Sequence, residues 1–154
     1  MVGAVSFNAW TFSNALALVL NKSAEAEFRS PSRPGTAIHF ANAYNIALAE
    51  SDLEYRDLLN GSDYVFVDGT PVVWAARLTR RHTEGTWMRI YGPDFMRAVL
   101  ARSCMTHRHF LLGGTPHVLE QLRAAIESTY PDVQIVGHYS PPFSENVSED
   151  ELDR

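Results

Sequence analysis

One cysteine and one lysine mark this chain by their scarcity. With Cys104 as its only thiol, a chain of 154 residues can form no internal disulfide, and a reducing compartment is the simplest setting. Lys22 is the only lysine, so arginine supplies the other cations, a bias read as genome composition. Positive charge is short overall: 13 Lys and Arg against 18 Asp and Glu leave a formal charge of −5 and a pI near 5.6. That argues against a nucleic-acid partner held on a broad basic face. No apolar run approaches the length of a bilayer span, and Met1-Val2-Gly3-Ala4-Val5-Ser6-Phe7 lacks the basic start and long apolar core of a signal peptide. A cytoplasmic, non-integral protein is the expectation. The six histidines show no Cys/His or acidic ligand spacing, so neither a metal nor another cofactor is expected.

What is present is ordinary in bulk, with 45% hydrophobic and 20% charged residues, and distinctive in pattern. A short phrase occurs twice: Val65-Phe66-Val67-Asp68-Gly69-Thr70-Pro71-Val72-Val73 and Phe110-Leu111-Leu112-Gly113-Gly114-Thr115-Pro116-His117-Val118. In each, an apolar run fits a parallel strand covered on both faces. Glycine then allows a sharp turn, threonine can cap a helix, and proline suits its first position. Such strand-to-helix turns gather free N–H groups at the carboxyl edge of a sheet, where phosphates and sugars are held.

Strand and helix signals alternate along the rest. Val2 to Phe7 reads as a first strand, and Phe12 to Ala26 as a helix capped near Thr11 or Ser13. Ser30 to Gly35 reads as a loop, Thr36 to Phe40 as a strand, Asn42 to Glu50 and Leu53 to Leu59 as helices. Strand Tyr64 to Val67 feeds helix Pro71 to Leu78, Arg80 to Gly85 is polar and exposed, and a helix follows Gly92-Pro93. Strand His109 to Leu112, helix Pro116 to Tyr130 and strand Val133 to Gly137 complete the expectation: a Rossmann-like α/β fold, one largely parallel sheet flanked by helices. No linker divides residues 1–154, so a single domain is expected. Ser148-Glu149-Asp150-Glu151 has the pattern of a helix start three residues before the last. It reads either as a fold cut short at its carboxyl end or as a frayed acidic tail.

Several side chains could carry chemistry. Asp68, at the end of a buried strand beside a glycine, is either a base or an Asp-Gly turn residue. Asn42 is either a sugar contact or a helix cap. Gly113 and Gly114 would let backbone N–H groups reach a diphosphate, although glycine pairs are common in turns, and Gly137 is a weaker signal of the same kind. Arg89 could pair with a phosphate or be a solvated arginine. The Arg77-Arg80-Arg81-His82 cluster could meet acidic lipid, but reads first as a solvated helix end, and Cys104 as a buried apolar residue.

Three blocks in order resemble the WecG/TagA/CpsF glycosyltransferase family: His39-Phe40-Ala41-Asn42-Ala43-Tyr44, Asp52 to Asn60, and Val67-Asp68-Gly69-Thr70-Pro71-Val72-Val73-Trp74-Ala75. Arg89-Ile90-Tyr91-Gly92-Pro93-Asp94-Phe95-Met96, Phe110 to Gly114, Tyr130-Pro131-Asp132 and Ile135-Val136-Gly137 are similar to later family segments. The resemblance implies an inverting transfer of an N-acetylmannosamine-type sugar from a UDP donor to a polyprenyl-diphosphate-linked sugar acceptor, in cell-surface polysaccharide or teichoic-acid synthesis. It implies Asp68 as general base, and Asn42, His39, Arg89 and Asp94 as substrate contacts. Gly113, Gly114, Thr115 and Gly137 would meet the nucleotide. A peripheral position on the inner face of the plasma membrane fits such an acceptor, and self-association is allowed. There are two departures from the family pattern. Phe40 stands where many members carry threonine, so the hydroxyl contact expected there is missing whether or not the neighbouring His39 compensates, and the family's Gly-rich, Gln-Glu and basic carboxyl segment is not in these residues. The alternative is a non-catalytic nucleotide-binding or interaction domain.

Overall fold

The computed structural model describes residues 2–26, 35–79, 87–103 and 107–142. The expected loop from Ser30, the polar segment from Arg80 to Gly85, Cys104 and the terminal capping pattern lie wholly or largely outside them. The chain forms two compact units, Met1–Val99 and Leu100–Arg154, with the boundary inside a helix.

In the first unit α1 (Phe12–Ala26) precedes β1 (Ile38–Ala41), α2 (Ala43–Ser51), α3 (Leu53–Asn60), β2 (Tyr64–Val67) and α4 (Thr70–Thr79). The boundary helix α5 (Gly92–Arg102) follows. β1 and β2 pair in parallel, Ile38 opposite Tyr64 and Ala41 opposite Val67. Alternation sends their side chains into two apolar layers. Ala41, Val65 and Val67 meet Val5, Phe7, Leu59, Val72, Val73 and Trp87 on one side. Ile38, Phe40, Tyr64 and Phe66 meet Leu16, Ile90 and Phe95 on the other. Phe66 is fully buried and packs edge-on or tilted against Phe40 and Phe95, with centroids 5.6 and 5.9 Å away.

Residues Val2 to Phe7 do not form the expected strand. Val2 and Val5 bridge across a tight turn in which Gly3 takes φ 57°. Side chains claim the neighbouring backbone groups: Ala4 N–H donates to Glu50 Oε1, Ser6 N–H to Asn60 Oδ1, and Asn60 Nδ2 to the Ala4 carbonyl. With those groups already bonded, a ladder has little left to add. Asn8 then meets the outer edge of β2, donating its N–H to Val65 O at 3.1 Å and accepting Val65 N–H on Oδ1 at 2.8 Å. Ile90 N–H reaches Val67 O on that edge at 2.7 Å.

The second unit is built on β3 (Arg108–Leu112), α6 (Pro116–Thr129) and β4 (Gln134–Tyr139), with β3 and β4 parallel. Leu119 and Ile126 of α6 are buried. A bulge between His109 and Phe110 shifts the register so that Phe110 stands opposite Gly137. The Rossmann-like parallel α/β expectation holds, with β1 and β2 paired in parallel in the first unit and β3 and β4 in the second.

Candidate functional site

The turn after β2 gathers the first unit's polar side chains. Asp68 leaves the strand with its N–H donated to Ala41 O at 3.0 Å, so the carboxyl ends of β1 and β2 stay tied together. Its Oδ2 faces Gly92 N–H at 3.4 Å, at the start of α5, where the helix dipole favours negative charge. Its Oδ1 is buried and has no hydrogen-bond partner among the described residues. Leaving a buried acceptor unpaired costs about 1–3 kcal/mol, and such a group calls for an explanation. Gly92 makes the approach close: a Cβ there would lie 3.6 Å from Asp68 Oδ2 and 3.8 Å from Phe40 Cγ. Phe40 therefore forms an apolar wall beside the carboxylate.

Asn42 adjoins this turn, its Cβ 3.5 Å from where a side chain on Gly69 would begin. It caps α2: Oδ1 accepts N–H bonds from Tyr44 at 2.9 Å and Asn45 at 3.3 Å, and Asn45 Oδ1 accepts the Asn42 N–H at 2.9 Å. The amide oxygen is thus committed to the helix, while the exposed Nδ2 group remains as a donor. Capping and ligand contact use different atoms of one side chain.

His39 sits within β1 opposite Val65. Strand alternation puts it on the face of Ala41, opposite the layer that contains Phe40. Arg89 is exposed, its guanidinium 4.4 Å from the Tyr91 ring centroid, and no carboxylate pairs with it among the described residues. Asp94 lies in the first turn of α5 and pairs with Arg97 at 3.1 Å, a solvent-exposed contact that complements the dipole.

In the second unit Gly113 and Gly114 take φ of 99° and 77°, a region that disfavours any side chain. Thr115 caps α6, its Oγ1 accepting Val118 N–H at 3.3 Å, and Pro116 follows at the first helical position. Gly113 N–H is already donated to Tyr139 O at 3.0 Å, and Ser140 Oγ donates to Gly114 O at 2.6 Å. Gly113 can offer a ligand the shape of the turn, not its own N–H. Gly137 lies inside β4, where a Cβ would stand 2.7 Å from Phe110 Cε2. Its missing side chain makes room for that ring.

Sequence reasoning missed one participant at Asp68, Gly92. Gly92-Pro93 signalled a helix start, but nothing in the spacing connected it to a carboxylate 24 residues earlier. Among the described residues no three His, Cys, Asp or Glu side chains converge as a metal site. No described helix is long and apolar enough to cross a membrane.

A carboxylate at the carboxyl end of a buried parallel strand, facing a helix N-terminus, is the candidate site of a Rossmann-like α/β protein. The chain belongs to the glycosyl transferase WecG/TagA/CpsF family, whose profile matches residues 1–154. It is similar to the N-acetylglucosaminyldiphosphoundecaprenol N-acetyl-beta-D-mannosaminyltransferases of Staphylococcus aureus strains NCTC 8325 / PS 47, COL and MSSA476. Each is 29% identical over 129 residues, covering 83% of this chain and 50% of the relative. The chain spans about half the length of these curated relatives.

Proposed function

We propose that this chain carries the acid–base half of an inverting glycosyl transfer. An N-acetylmannosamine-type sugar would move from a UDP donor to a sugar hydroxyl on a polyprenyl-diphosphate acceptor, in cell-surface polysaccharide synthesis. The observation that carries the reading is the Asp68 carboxylate, with one oxygen held near Gly92 N–H and the other buried and unpartnered. An acceptor hydroxyl brought to that carboxylate gives up its proton there as it attacks the anomeric carbon. The bond from that carbon to the UDP oxygen breaks, its electron pair leaves with the diphosphate, and the anomeric configuration inverts. Asn42 Nδ2 offers a donor to a sugar oxygen beside the base, and Arg89, which pairs with no carboxylate among the described residues, an electrostatic contact for phosphate. His39 and Asp94 are secondary contact candidates, because one is set within a strand and the other pairs with Arg97. The turn from Gly113 to Thr115 has the strand-to-helix form that receives a nucleotide diphosphate, with Gly137 contributing through packing. The family resemblance and the relatives' names support the sugar and the lipid-linked acceptor. A single domain spanning 1–154 and peripheral attachment at the inner membrane face belong to the same proposal.

The test is calorimetric titration of UDP and a UDP-N-acetylhexosamine into the purified chain, followed by transfer to a lipid-diphosphate acceptor. Asp68→Asn should keep donor binding and lower the transfer rate about 10²–10⁴-fold, the usual contribution of a positioned base. Gly114→Val should lose donor binding. A folded chain that binds no UDP would refute the transferase reading and leave a non-catalytic interaction domain.

A further inference from the structure

Two of the glycines described above are required by the backbone and one by packing: Gly113 and Gly114 by their positive φ, Gly137 by the Phe110 ring. Gly92 is required by neither. Its φ lies outside the left-handed region, and among the described residues a Cβ built on it would make only ordinary van der Waals contacts, at 3.6, 3.8 and 4.0 Å. At the first position of α5, alanine would also lose less conformational entropy on folding. The fold alone therefore gives no reason for a missing side chain here. The same three distances outline a space of methyl size within the first unit, bounded by Asp68 Oδ2 on one side and by Phe40 Cγ and Cδ1 on the other. Gly92, Asp68 and Phe40 are each half-buried, which sets this space where core meets solvent.

We propose that Gly92 is a positioning residue for the Asp68 base, an inference that rests on the reading of Asp68 as the proton acceptor in glycosyl transfer. Its N–H steadies Oδ2 at 3.4 Å, and its lack of a side chain keeps open the slot through which the attacking hydroxyl reaches that oxygen. Oδ1 is buried, so Oδ2 is the oxygen left for the substrate. A carboxylate oxygen carries two lone pairs, and accepting Gly92 N–H leaves the second for a hydroxyl. That hydroxyl must come within about 2.6–3.2 Å of Oδ2 to pass on its proton. An alanine methyl, 3.6 Å from the same oxygen, would stand in the approach without pressing on the carboxylate. The Phe40 ring closes the far side with an apolar surface, which suits the C–H groups of the sugar carbon that bears the hydroxyl. In the transfer the O–H bond breaks, the proton passes to Oδ2, and the oxygen bonds to the anomeric carbon as the UDP oxygen departs with its electron pair. Gly92 exchanges no atom in that balance; it supplies room and orientation.

The experiment compares the whole chain with Gly92→Ala in three measurements: thermal denaturation, calorimetric titration of a UDP-N-acetylhexosamine, and steady-state transfer to a polyprenyl-diphosphate-linked sugar. Gly92→Ala should melt at or above the parent's Tm and bind the donor as the parent does, while kcat falls at least about tenfold, since a misplacement of about 1 Å can cost 10²-fold. A variant that is no less stable and no weaker for donor, yet slower, is the signature that a merely structural glycine would not give. A fall in Tm or in donor affinity would make the glycine structural and overturn the proposal, as would a Gly92→Ala protein that turns over like the parent. Asp68→Asn, run alongside, separates the two readings. If it transfers like the parent, the base reading fails and this inference with it, whereas a disabled Asp68→Asn beside a fully active Gly92→Ala removes the positioning role alone. A folded parent that transfers nothing overturns both.

Discussion

Asn42 offers a clean separation of structure from function, because its oxygen caps α2 while its amide nitrogen is left over. Asn42→Ala removes the acceptor for both Tyr44 and Asn45 N–H, two of the four donors that a helix start leaves unpaired. It should destabilise the first unit by about 1 kcal/mol, within the 0.5–2 kcal/mol usual for cap deletions. For a unit of this size that is a fall in Tm of about 4–8 °C. Asn42→Asp keeps the acceptor, caps as well as asparagine, and adds charge at the favourable end of the helix, so its Tm should stay within about 2 °C of the parent. It nonetheless removes the Nδ2 donor proposed to meet the sugar, so UDP-sugar affinity should fall in both variants, by about tenfold for a lost hydrogen bond. A new carboxylate near Asp68 adds repulsion, which measurements at high salt suppress. Thermal denaturation and calorimetric titration on both proteins decide the matter. An Asn42→Asp protein as unstable as Asn42→Ala would refute the capping argument, and one that binds donor like the parent would refute the contact.

Three further outcomes follow from the packing. Phe66→Ala, which empties the centre of the aromatic layer, should cost about 3–5 kcal/mol in denaturant unfolding, and a loss below about 1 kcal/mol would mean that the layer is not close-packed. Gly114→Ala forces a side chain to φ 77° and should destabilise the second unit by about 1–2 kcal/mol, seen as faster amide exchange in α6; unchanged exchange would contradict the turn geometry. His109, bonded to Ser103 Oγ at 2.9 Å, has its pKa lowered from 6.5 by burial and then by His107. The unfolded chain then binds the proton more readily, so this group's contribution is intact above pH 6.5 and declines as pH falls below it. His109→Gln should flatten the dependence of Tm on pH in that window, and an unchanged slope would assign it to other groups.

Local chemistry carried most of the architecture. Phe12–Ala26 and Tyr64–Val67 could be bounded from apolar spacing, and the Gly-Thr-Pro pattern at Asp68 and Gly113 marked real strand-to-helix turns. Reading failed where side chains from distant positions take over backbone bonds. Val2 to Phe7 has strand composition, yet Glu50 and Asn60 occupy its polar groups, and neither residue is visible in a local window. At the candidate site, Asp68 was legible from its strand end and Asn42 from its place before a helix. The packing of Gly137 against Phe110 was not legible, because that pairing is created by a one-residue bulge.

The bonds from Asn8 and Ile90 to β2 give the first ladder a direction of growth. Val65 has both its N–H and its carbonyl occupied by Asn8, and the Val67 carbonyl is occupied by Ile90, so that border of the sheet is sealed by segments that are not themselves strands. β1 has no described neighbour on its far side. Any strand that enlarges this sheet, from more of the same chain or from another molecule, is directed to β1 and leaves the Asp68 turn at the opposite margin.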